Sequence, residues 1–472
     1  MRANLVSSIA VTCAAALALP LSLATPAAAL QPGTPTTSTV VPTVVEPAAP
    51  GAPPVADPAE REASPAEAAP EADVAGSTQS LPLAPLGDGR RAIGSAAGAA
   101  QGLARRDVRP FSLVGVVWDD VTAHLNGTVQ VRTRSAGSAD WSAWQNVEIH
   151  NDDHGADPGT AEAAGAVRGA TAPLWVGDSD GVEVRVQPDR GAEPAAEAVP
   201  LPTGLRIELV DPGPEPAADS GPRTRVAYAA PTARRAPTVE QAAAASVNAH
   251  LAPVGTAAIP AAAAPVAAAK PYIGPRPKII TRKGWGANEK LRKGGFVYTK
   301  AVKAAFVHHS ATGNNYTCKQ APSVLRSIYR YHTQSSGWRD LGYNFAVDKC
   351  GNIYEGRAGG VAKPVHGAHT LGFNTNSMGI AVLGTYSSTT PPAAAVNAVA
   401  KLTAWKLGLH GVNPKGKTTL VSAGGKYKKG KKVTFNSIAG HRDGFATACP
   451  GARLYGKLGT ARSTSAKYQG RP

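Results

Sequence analysis

The sequence predicts an α/β C-terminal domain, with a mixed central sheet flanked by helices, that follows a small all-β domain and disordered linkers. Three observations predict this architecture. Gly (50) and Pro (40) together make up 90 of 472 residues, about 19%, which is more than a single compact domain of this length is expected to use. Runs that alternate apolar and polar residues occur within 108–212. From 271 onwards, strand-like and helix-like runs alternate.

Residues 1–29 have the pattern of a secretory signal peptide. Arg2 gives a basic start, Leu5–Leu23 is apolar and rich in Ala, and Ala27-Ala28-Ala29 supplies small residues for cleavage near Ala29. An uncleaved anchor helix is the alternative, but the early Pro20 argues against it. The pattern therefore predicts a secreted chain without a transmembrane anchor.

Two segments, 30–107 and 213–270, are rich in Ala and Pro and poor in aromatic residues. Such segments cannot bury enough apolar surface to offset the loss of chain entropy, so we expect a disordered N-terminal segment and a disordered linker. Because few contacts are expected to cross such linkers, residues 271–472 are predicted to fold and act on their own.

The segment 108–212 is predicted to form the all-β domain, which we expect to be a sandwich. Its predicted strands are Phe111–Trp118, Thr128–Arg134, Gly181–Val186 and Leu205–Val210. Polar loop residues of this segment would suit calcium, although solvated loops are the more ordinary interpretation: Asp119, Asp120, Asp152, Asp153 and His154.

The segment 271–472 contains the alternating strands and helices. Ala304–His308 is predicted to be a strand, and helices are expected to begin at Pro322 and Pro391, because the fixed φ of Pro suits the first helical turn. The other predicted strands are Tyr343–Val347, Ile353–Glu355 and Gly379–Gly384, the first two joined by a hairpin turn.

Charge is divided unevenly along the chain. Residues 271–472 carry 31 Lys and Arg against 5 Asp and Glu, a net charge of +26, whereas the whole chain is +16, so residues 1–270 carry −10. Such a basic domain predicts an anionic partner: nucleic acid, an anionic membrane or an anionic cell-wall polymer. Export favours the wall polymer and argues against nucleic acid.

Two histidines and one cysteine of the C-terminal domain suggest a metal site. His308 ends a predicted strand, and His441 and Cys449 follow far downstream, eight residues apart. A catalytic zinc uses three protein groups and leaves a fourth position for water, and imidazole and thiolate are good zinc ligands. Scattered histidines and a buried cysteine are the alternative, because the spacing has no compact repeat such as Cys-x-x-Cys.

A series of short motifs runs through 275–460, roughly 40% of the chain. They are Trp285-Gly286-Ala287, Val307-His308-His309-Ser310-Ala311-Thr312, Trp338-Arg339-Asp340-Leu341-Gly342-Tyr343-Asn344-Phe345, Ile353-Tyr354-Glu355-Gly356-Arg357, Gly367-Ala368-His369-Thr370, Asn374-Thr375-Asn376-Ser377-Met378-Gly379-Ile380, Gly440-His441-Arg442-Asp443 and Cys449-Pro450-Gly451. In this order, they resemble the peptidoglycan recognition protein and type 2 N-acetylmuramoyl-L-alanine amidase family, of the secreted actinobacterial type.

This resemblance implies a role for each matching residue. It implies that Zn²⁺ is held by three ligands, His308, His441 and Cys449. It implies that Tyr343 lies beside the zinc-bound water and that Thr447 helps to stabilise the oxyanion, with strand packing and a plain loop position as the respective alternatives. It implies four residues of the substrate groove: Arg357, His369, Asn374 and Asn376.

Cys318 and Cys350 remain once Cys13 is assigned to the signal peptide and Cys449 to the metal. One follows the first strand of the C-terminal domain and the other lies in the hairpin turn. In an exported protein we expect them to form a disulfide, which would close a loop of about 30 residues and stabilise the fold by ~3 kcal/mol. Two free thiols are the alternative.

Sequence and resemblance together predict a secreted, cell-wall-associated zinc amidase that cleaves the amide between the lactyl group of N-acetylmuramic acid and L-alanine of the stem peptide. The expected partners of this monomer are muramyl peptides of peptidoglycan and anionic wall polymers, not nucleic acid. A non-catalytic peptidoglycan-binding protein on the same fold is the main alternative, but such relatives typically lack the cysteine ligand. A thiol peptidase that uses Cys449 and His441 would leave His308 unexplained.

Overall fold

The computed structural model describes residues 75–86, 100–149, 154–189, 199–215 and 272–472. The predicted signal peptide, most of the segment 30–107 and nearly all of the linker 213–270 lie outside these residues. Among the described residues, no helix is both long enough and apolar enough to cross a membrane.

The N-terminal domain, residues 75–215 as described, is built on one antiparallel sheet. Its strands are β1 (Ser77–Pro82), β2 (Ala84–Pro85), β3 (Gln101–Trp118), β4 (Gly127–Ser135), β5 (Gln145–Val147), β6 (Gly169–Ala170), β7 (Leu174–Pro188) and β8 (Arg206–Asp211). Six strands follow the order β1-β8-β3-β7-β4-β5, and β2 and β6 each pair with β3. The predicted all-β domain and its four strands are confirmed. Because β3 and β7 are long and pair with irregular register, they connect all eight strands in one sheet instead of the two sheets of the expected sandwich.

This sheet begins before the expected boundary at residue 108. β1 pairs along its whole length with β8, and Gln101–Leu103 at the start of β3 pair with β7. The segment 30–107 is therefore not disordered throughout, contrary to the expectation from its composition. Composition misleads here because these residues are ordered by backbone hydrogen bonds to neighbouring strands, not by a large apolar surface of their own.

The C-terminal domain alternates strands and helices. Its strands are β9 (Ile279–Ile280), β10 (Ala304–His309), β11 (Phe345–Val347), β12 (Ile353–Glu355), β13 (Ser377–Val382), β14 (Lys417–Val421), β15 (Lys432–Asn436) and β16 (Ile438–Gly440). Its helices are α1 (Arg282–Trp285), α2 (Ala321–Arg330), α3 (Ala393–Gly408), α4 (His441–Gly444), α5 (Ala452–Tyr455) and α6 (Leu458–Tyr468), with a 3₁₀ turn at Glu289–Leu291 and a π-helical turn at Tyr331–Ser335.

Six of these strands form the central sheet, in the order β16-β10-β13-β11-β12-β9. All pairs are parallel except β11 with β12, so the predicted mixed sheet is confirmed. Side chains of β13 alternate between its two faces: Ile380 packs in the cluster that contains Trp405 of α3, and Ala381 packs in the cluster that contains Leu325 of α2. Helices therefore cover both faces, as expected.

Helix α2 packs between the sheets of the two domains. Its Leu325 belongs to one buried apolar cluster with Leu113 of β3 and Trp175 of β7. Polar contacts cross the same interface, since the hydroxyl of Ser335 donates to the carboxylate of Glu208 at 3.0 Å. The domains share a hydrophobic core, so the expectation that few contacts cross between them is wrong.

A glycine of β3 permits this close packing. The hydroxyl of Tyr331 donates to the carbonyl oxygen of Thr171 at 3.1 Å. A Cβ atom added at Gly115 would collide with that hydroxyl oxygen. Only a residue without a side chain leaves room for the tyrosine ring at this point of the interface.

Candidate metal centre

Three predicted ligands converge at the carboxyl edge of the C-terminal sheet. β10 and β16 are parallel neighbours, so their carboxyl ends meet at the same edge. His308 lies near the end of β10, and His441 follows β16 directly. Cys449, in the loop after α4, has its Sγ 3.8 Å from Nδ1 of His308. All three side chains are buried, so residues that are distant in sequence form one cluster.

A fourth ligand candidate, His154, comes from the N-terminal domain. Its Nε2 lies 3.2 Å from Nδ1 of His308, and its ring centroid lies 4.4 Å from that of His441. The ligand atoms of His154, His308, His441 and Cys449 all lie within 4.8 Å of one another. The interpretation of His154 as a solvated loop residue is therefore wrong, and so is the calcium alternative: its side chain points into the His/Cys cluster of the other domain.

The donor atoms and their spacing suit zinc. A tetrahedral zinc site with bonds of about 2.0–2.3 Å holds its ligand atoms about 3.3–3.8 Å apart. The separations from Nδ1 of His308, 3.2 Å to His154 and 3.8 Å to Cys449, are close to this spacing. Burial lowers the pKa of His308 well below its ordinary value, and the neighbouring histidines lower it further. Because the neutral imidazole is the form that binds metal, the cluster fits Zn²⁺.

Tyr343 and Thr447 flank the cluster. The hydroxyl of Tyr343 lies 3.3 Å from Nε2 of His154, and its ring centroid lies 5.3 Å from that of His308. The hydroxyl oxygen of Thr447 accepts a hydrogen bond from the backbone N–H of Cys449 at 3.1 Å. The structure thus brings both residues to the cluster, Tyr343 through its hydroxyl and Thr447 through the loop that carries the cysteine.

Two of the predicted substrate residues, Arg357 and Asn374, contact the N-terminal domain. Arg357 donates two hydrogen bonds to the carboxylate of Glu162, at 2.7 and 2.8 Å. The Nδ2 atom of Asn374 donates to the carboxylate of Asp157 at 2.8 Å. These contacts belong to residues 154–168, which we call the groove segment. The segment contacts four residues of the C-terminal domain that we together call the groove: Tyr343, Arg357, His366 and Asn374.

Burial and hydrogen bonding have opposite effects on the pKa values of the carboxylates in the groove segment. Burial raises the pKa of Glu162, but the hydrogen bonds and charge of Arg357 bring it below its ordinary value. Burial lowers the pKa of Arg357, but Glu162 raises it above its ordinary value. At Asp157 burial is the strongest influence and raises the pKa. Glu162 and Arg357 therefore form a charged pair that is shielded from water.

The structure places the other two predicted substrate residues elsewhere. His369 is fully buried, with its ring centroid 5.4 Å from that of His308 and its Nδ1 3.0 Å from the hydroxyl of Thr370. Asn376 adopts a φ of 60°, and its Oδ1 accepts a hydrogen bond from the backbone N–H of Ala301. His369 thus packs against the cluster and Asn376 shapes a turn, and their predicted role in substrate binding stays a prediction.

Sequence reasoning missed three residues that reach this site from the N-terminal domain: His154, Asp157 and Glu162. Charge was the only available signal. The stretch from Glu148 to Glu162 has five acidic residues and no Lys or Arg, and it precedes the strongly basic domain. This contrast predicts contact between opposite charges, but it does not identify which side chains meet.

The disulfide is confirmed. Cys318 and Cys350 are bonded, with Cα atoms 6.2 Å apart. Cys318 precedes α2 and Cys350 lies in the turn between β11 and β12, so the bond joins the start of the helix to the hairpin. Cys449 is buried outside this bond, which leaves its thiol for the His/Cys cluster.

Two family models match the chain. One is described as N-acetylmuramoyl-L-alanine amidase and matches residues 298–452, the range that contains the three predicted ligands. The other is described as Rv3811 N-terminal galactose-binding domain-like and matches residues 62–203. The second range begins well before residue 108, in agreement with the early start of the N-terminal sheet.

Individual proteins are similar to the C-terminal domain. Peptidoglycan-recognition protein SC2 of Drosophila simulans is 30% identical over 184 residues, which cover 39% of this chain and 85% of that protein. The human protein named N-acetylmuramoyl-L-alanine amidase is 33% identical over 148 residues, 31% of this chain and 22% of that protein. The solved structure of peptidoglycan recognition protein-LE in complex with tracheal cytotoxin is 30% identical, covers 39% of this chain and 92% of that chain, and has a TM-score of 0.31.

Proposed function

The chain belongs to the peptidoglycan-recognition protein and N-acetylmuramoyl-L-alanine amidase family, and from this membership we propose that it is a secreted, zinc-dependent amidase. The proposed reaction is hydrolysis of the amide between the lactyl group of N-acetylmuramic acid and L-alanine of the peptidoglycan stem peptide. The observation that carries the proposal is the buried cluster of His308, His441 and Cys449.

The proposed cofactor is Zn²⁺, held by His308, His441 and Cys449. When bound, it supplies a Lewis acid that lowers the pKa of water to about 7 and polarises a carbonyl group. Burial of the three ligand side chains keeps bulk water away from the site and so strengthens electrostatic interactions within it.

Tyr343 and Thr447 have the chemistry to assist hydrolysis. The phenol of Tyr343 faces the cluster and can both donate and accept a hydrogen bond, so it can orient the attacking water and hold a proton at its oxygen. Because Oγ1 of Thr447 accepts from the N–H of Cys449, its own O–H is available to donate to the carbonyl oxygen of the substrate as negative charge develops there.

Four features favour this function over its alternatives. Cys449 lies within the cluster, which supports metal chemistry over binding alone. Its side chain is only 2% exposed, whereas a nucleophilic thiolate of a peptidase must be accessible to substrate. The disulfide between Cys318 and Cys350 suits an oxidising compartment outside the cytosol, and the charge of +26 over 271–472 suits attraction to an anionic wall.

Mass spectrometry of digested peptidoglycan tests the proposal. The products of the zinc-loaded protein should include free stem peptides with L-alanine at the N terminus. Chelation should abolish their release and added zinc should restore it. Products in which the stem remains joined to N-acetylmuramic acid would identify a different bond specificity, and no products at all would mean that the wild-type protein is inactive.

A further inference from the structure

The groove segment occupies the positions that the proposed reaction needs. Nε2 of His154 lies 3.2 Å from His308 and 3.3 Å from the hydroxyl of Tyr343. The carboxylates of Asp157 and Glu162 take the hydrogen bonds that Asn374 and Arg357 donate. A stem peptide therefore cannot reach these groups while the groove segment is in place.

His154 also completes the ligand shell. His308, His441 and Cys449 are the three protein ligands that a catalytic zinc uses, and such a site keeps its fourth position open. With His154 within 4.8 Å of every other ligand atom, four protein donors surround the centre of the cluster. Four protein ligands are typical of closed, structural zinc sites, so His154 would take the position that water and substrate need.

The groove segment is bound as an acidic peptide would be. Its backbone both donates and accepts hydrogen bonds: the N–H of Gly155 donates to the carbonyl of Ala368 at 3.2 Å, and the carbonyl of Gly155 accepts from Asn374 at 2.9 Å. The carboxylate of Asp157 accepts from the N–H of Gly372 at 2.8 Å. Glu162 meets the two N–H groups of Arg357 side by side, the geometry that selects a carboxylate. The groove therefore recognises peptide backbone and carboxylate together.

The packing of the groove segment allows it to leave. Between 154 and 168 the structure contains turns but no α-helix or β-strand. The segment also borders a cavity of about 750 Å³, which Trp338, Leu371 and Phe445 help to line. Since no sheet or helix has to break, local opening at this segment costs less than opening of either domain core.

We propose that the groove segment is an intrachain ligand of the groove that holds the protein in a latent form. Its displacement exposes Arg357, Asn374 and Tyr343 to an acidic peptide and opens the fourth position of the metal centre. The inference rests on the proposed function, since only an active amidase can be latent. Occupation of the groove, however, can be measured without catalysis.

The first test replaces Glu162 with Lys in the full-length chain, which sets a cation against Arg357. The control, Asp119→Lys, makes the same charge change at an ion pair with Arg206 outside the groove. Calorimetry measures binding of a soluble muramyl tripeptide to the metal-free proteins. If the groove segment occupies the groove in most wild-type molecules, the affinity for the tripeptide should rise at least about tenfold in Glu162→Lys. The reason is that apparent affinity scales with the fraction of molecules whose groove is free. The control should match the wild type.

Amide hydrogen exchange gives an independent readout of the same variant. The N–H groups of Gly372 and Arg339 donate to Asp157 and Glu162, so both should exchange faster in Glu162→Lys. Equal tripeptide affinity and equal exchange in the wild type and a folded Glu162→Lys would overturn the inference. Tight binding without hydrolysis would instead leave the inference standing and refute the amidase function.

A second variant, His154→Ala, decides the matter if Glu162→Lys does not fold. Cobalt(II) replaces zinc in the full-length chain, and azide serves as a small ligand for an open metal position. Azide should change the visible absorption spectrum of His154→Ala and leave that of the wild type unchanged, because only the variant has a vacant fourth position. The same response to azide in both proteins would show that His154 does not close the site.

Discussion

Nε2 of His154 lies 3.2 Å from Nδ1 of His308, although 154 residues separate them in sequence. One histidine belongs to the N-terminal domain and the other to the central strand β10 of the C-terminal domain. The His/Cys cluster is therefore shared between two domains. Three of its ligand candidates follow the topology of the C-terminal sheet, and the fourth arrives through the domain interface.

This arrangement predicts a graded response of metal binding to ligand loss. His308→Ala and Cys449→Ser should each lower zinc affinity by at least about 100-fold, more than the 10–100-fold that loss of an outer-shell partner costs. Serine fails because its hydroxyl stays protonated near neutral pH. His154→Ala should lower affinity less, because the three ligands that remain are all carried by the C-terminal domain, whereas His154 lies in a segment without helix or strand. Competition with a chromophoric chelator measures each affinity.

The control for this series is His410→Ala, which removes a half-buried histidine after α3, outside the cluster. Its zinc affinity should equal that of the wild type. If His308→Ala keeps wild-type zinc affinity and turnover, His308 is not a ligand, and the amidase function that depends on it should be abandoned.

The shared core predicts that the domains stabilise each other. Trp175→Ala in the N-terminal domain should lower the free energy of unfolding by about 3–5 kcal/mol, as expected for an aromatic residue removed from a core. Val121→Ala, at an exposed site of the same domain, should change it by less than about 0.5 kcal/mol. Chemical denaturation monitored in both domains measures the two values.

The same core predicts the behaviour of the isolated C-terminal domain. Residues 271–472 alone would expose the face of α2 that packs on Leu113 and Trp175, so this fragment should lack a cooperative thermal transition or should aggregate. A fragment as stable as the full-length chain would show that the interface contributes little.

Gly115 tests the packing of the interface at one point. Gly115→Ala should lower the free energy of unfolding by about 1–3 kcal/mol, the usual cost of overpacking, because its Cβ would collide with the ring of Tyr331. In a Tyr331→Leu background the same change should cost much less. Additive effects of the two substitutions in a double-mutant cycle would contradict this contact.

Lys406 of α3 predicts a pH dependence of stability. Its side chain is 2% exposed, and burial lowers its pKa from 10.5 to about 7. Because the unfolded chain keeps the proton between these values and the folded chain releases it, stability from this group rises with pH in this window. The slope is at most about 1.4 kcal/mol per pH unit.

The measurement compares thermal unfolding of the wild type with that of Lys406→Met between pH 6 and about 9, on either side of the folded-state pKa. Relative to this variant, the wild type should gain stability as pH rises above about 7. Lys401→Met, at an exposed position of the same helix, should show no such trend. If the difference in stability between the wild type and Lys406→Met does not change with pH, the amine stays protonated. The carbonyl oxygens of Val361 and Lys363, both 2.7 Å from Nζ, would then be the groups that keep the proton in place.

Local patterns predicted several of the strands, and the motifs of the family resemblance pointed to three residues of the His/Cys cluster. Alternation within Thr128–Arg134 and the apolar run at Ala304–His308 predicted β4 and β10, because each side chain there meets a sheet face directly. Parallel pairing of β10 with β16 then brings His308 and His441 to one edge, as the motifs implied.

Contacts made by irregular segments could not be predicted in the same way. His154 and Glu162 lie in turns without periodicity, so nothing local indicates what they face. β1 was missed because its order comes from hydrogen bonds to β8, a strand more than 120 residues away. The disulfide between Cys318 and Cys350 was predictable because few cysteines leave few pairings.

The most direct test of the amidase function is mass spectrometry of peptidoglycan incubated with zinc-loaded Glu162→Lys, in which the groove should be open. Glu162→Lys combined with His308→Ala provides the matched control. The first protein should release stem peptides that begin with L-alanine, and the control should release none. If zinc-loaded Glu162→Lys binds the muramyl tripeptide yet leaves every stem joined to N-acetylmuramic acid, the protein is not an amidase.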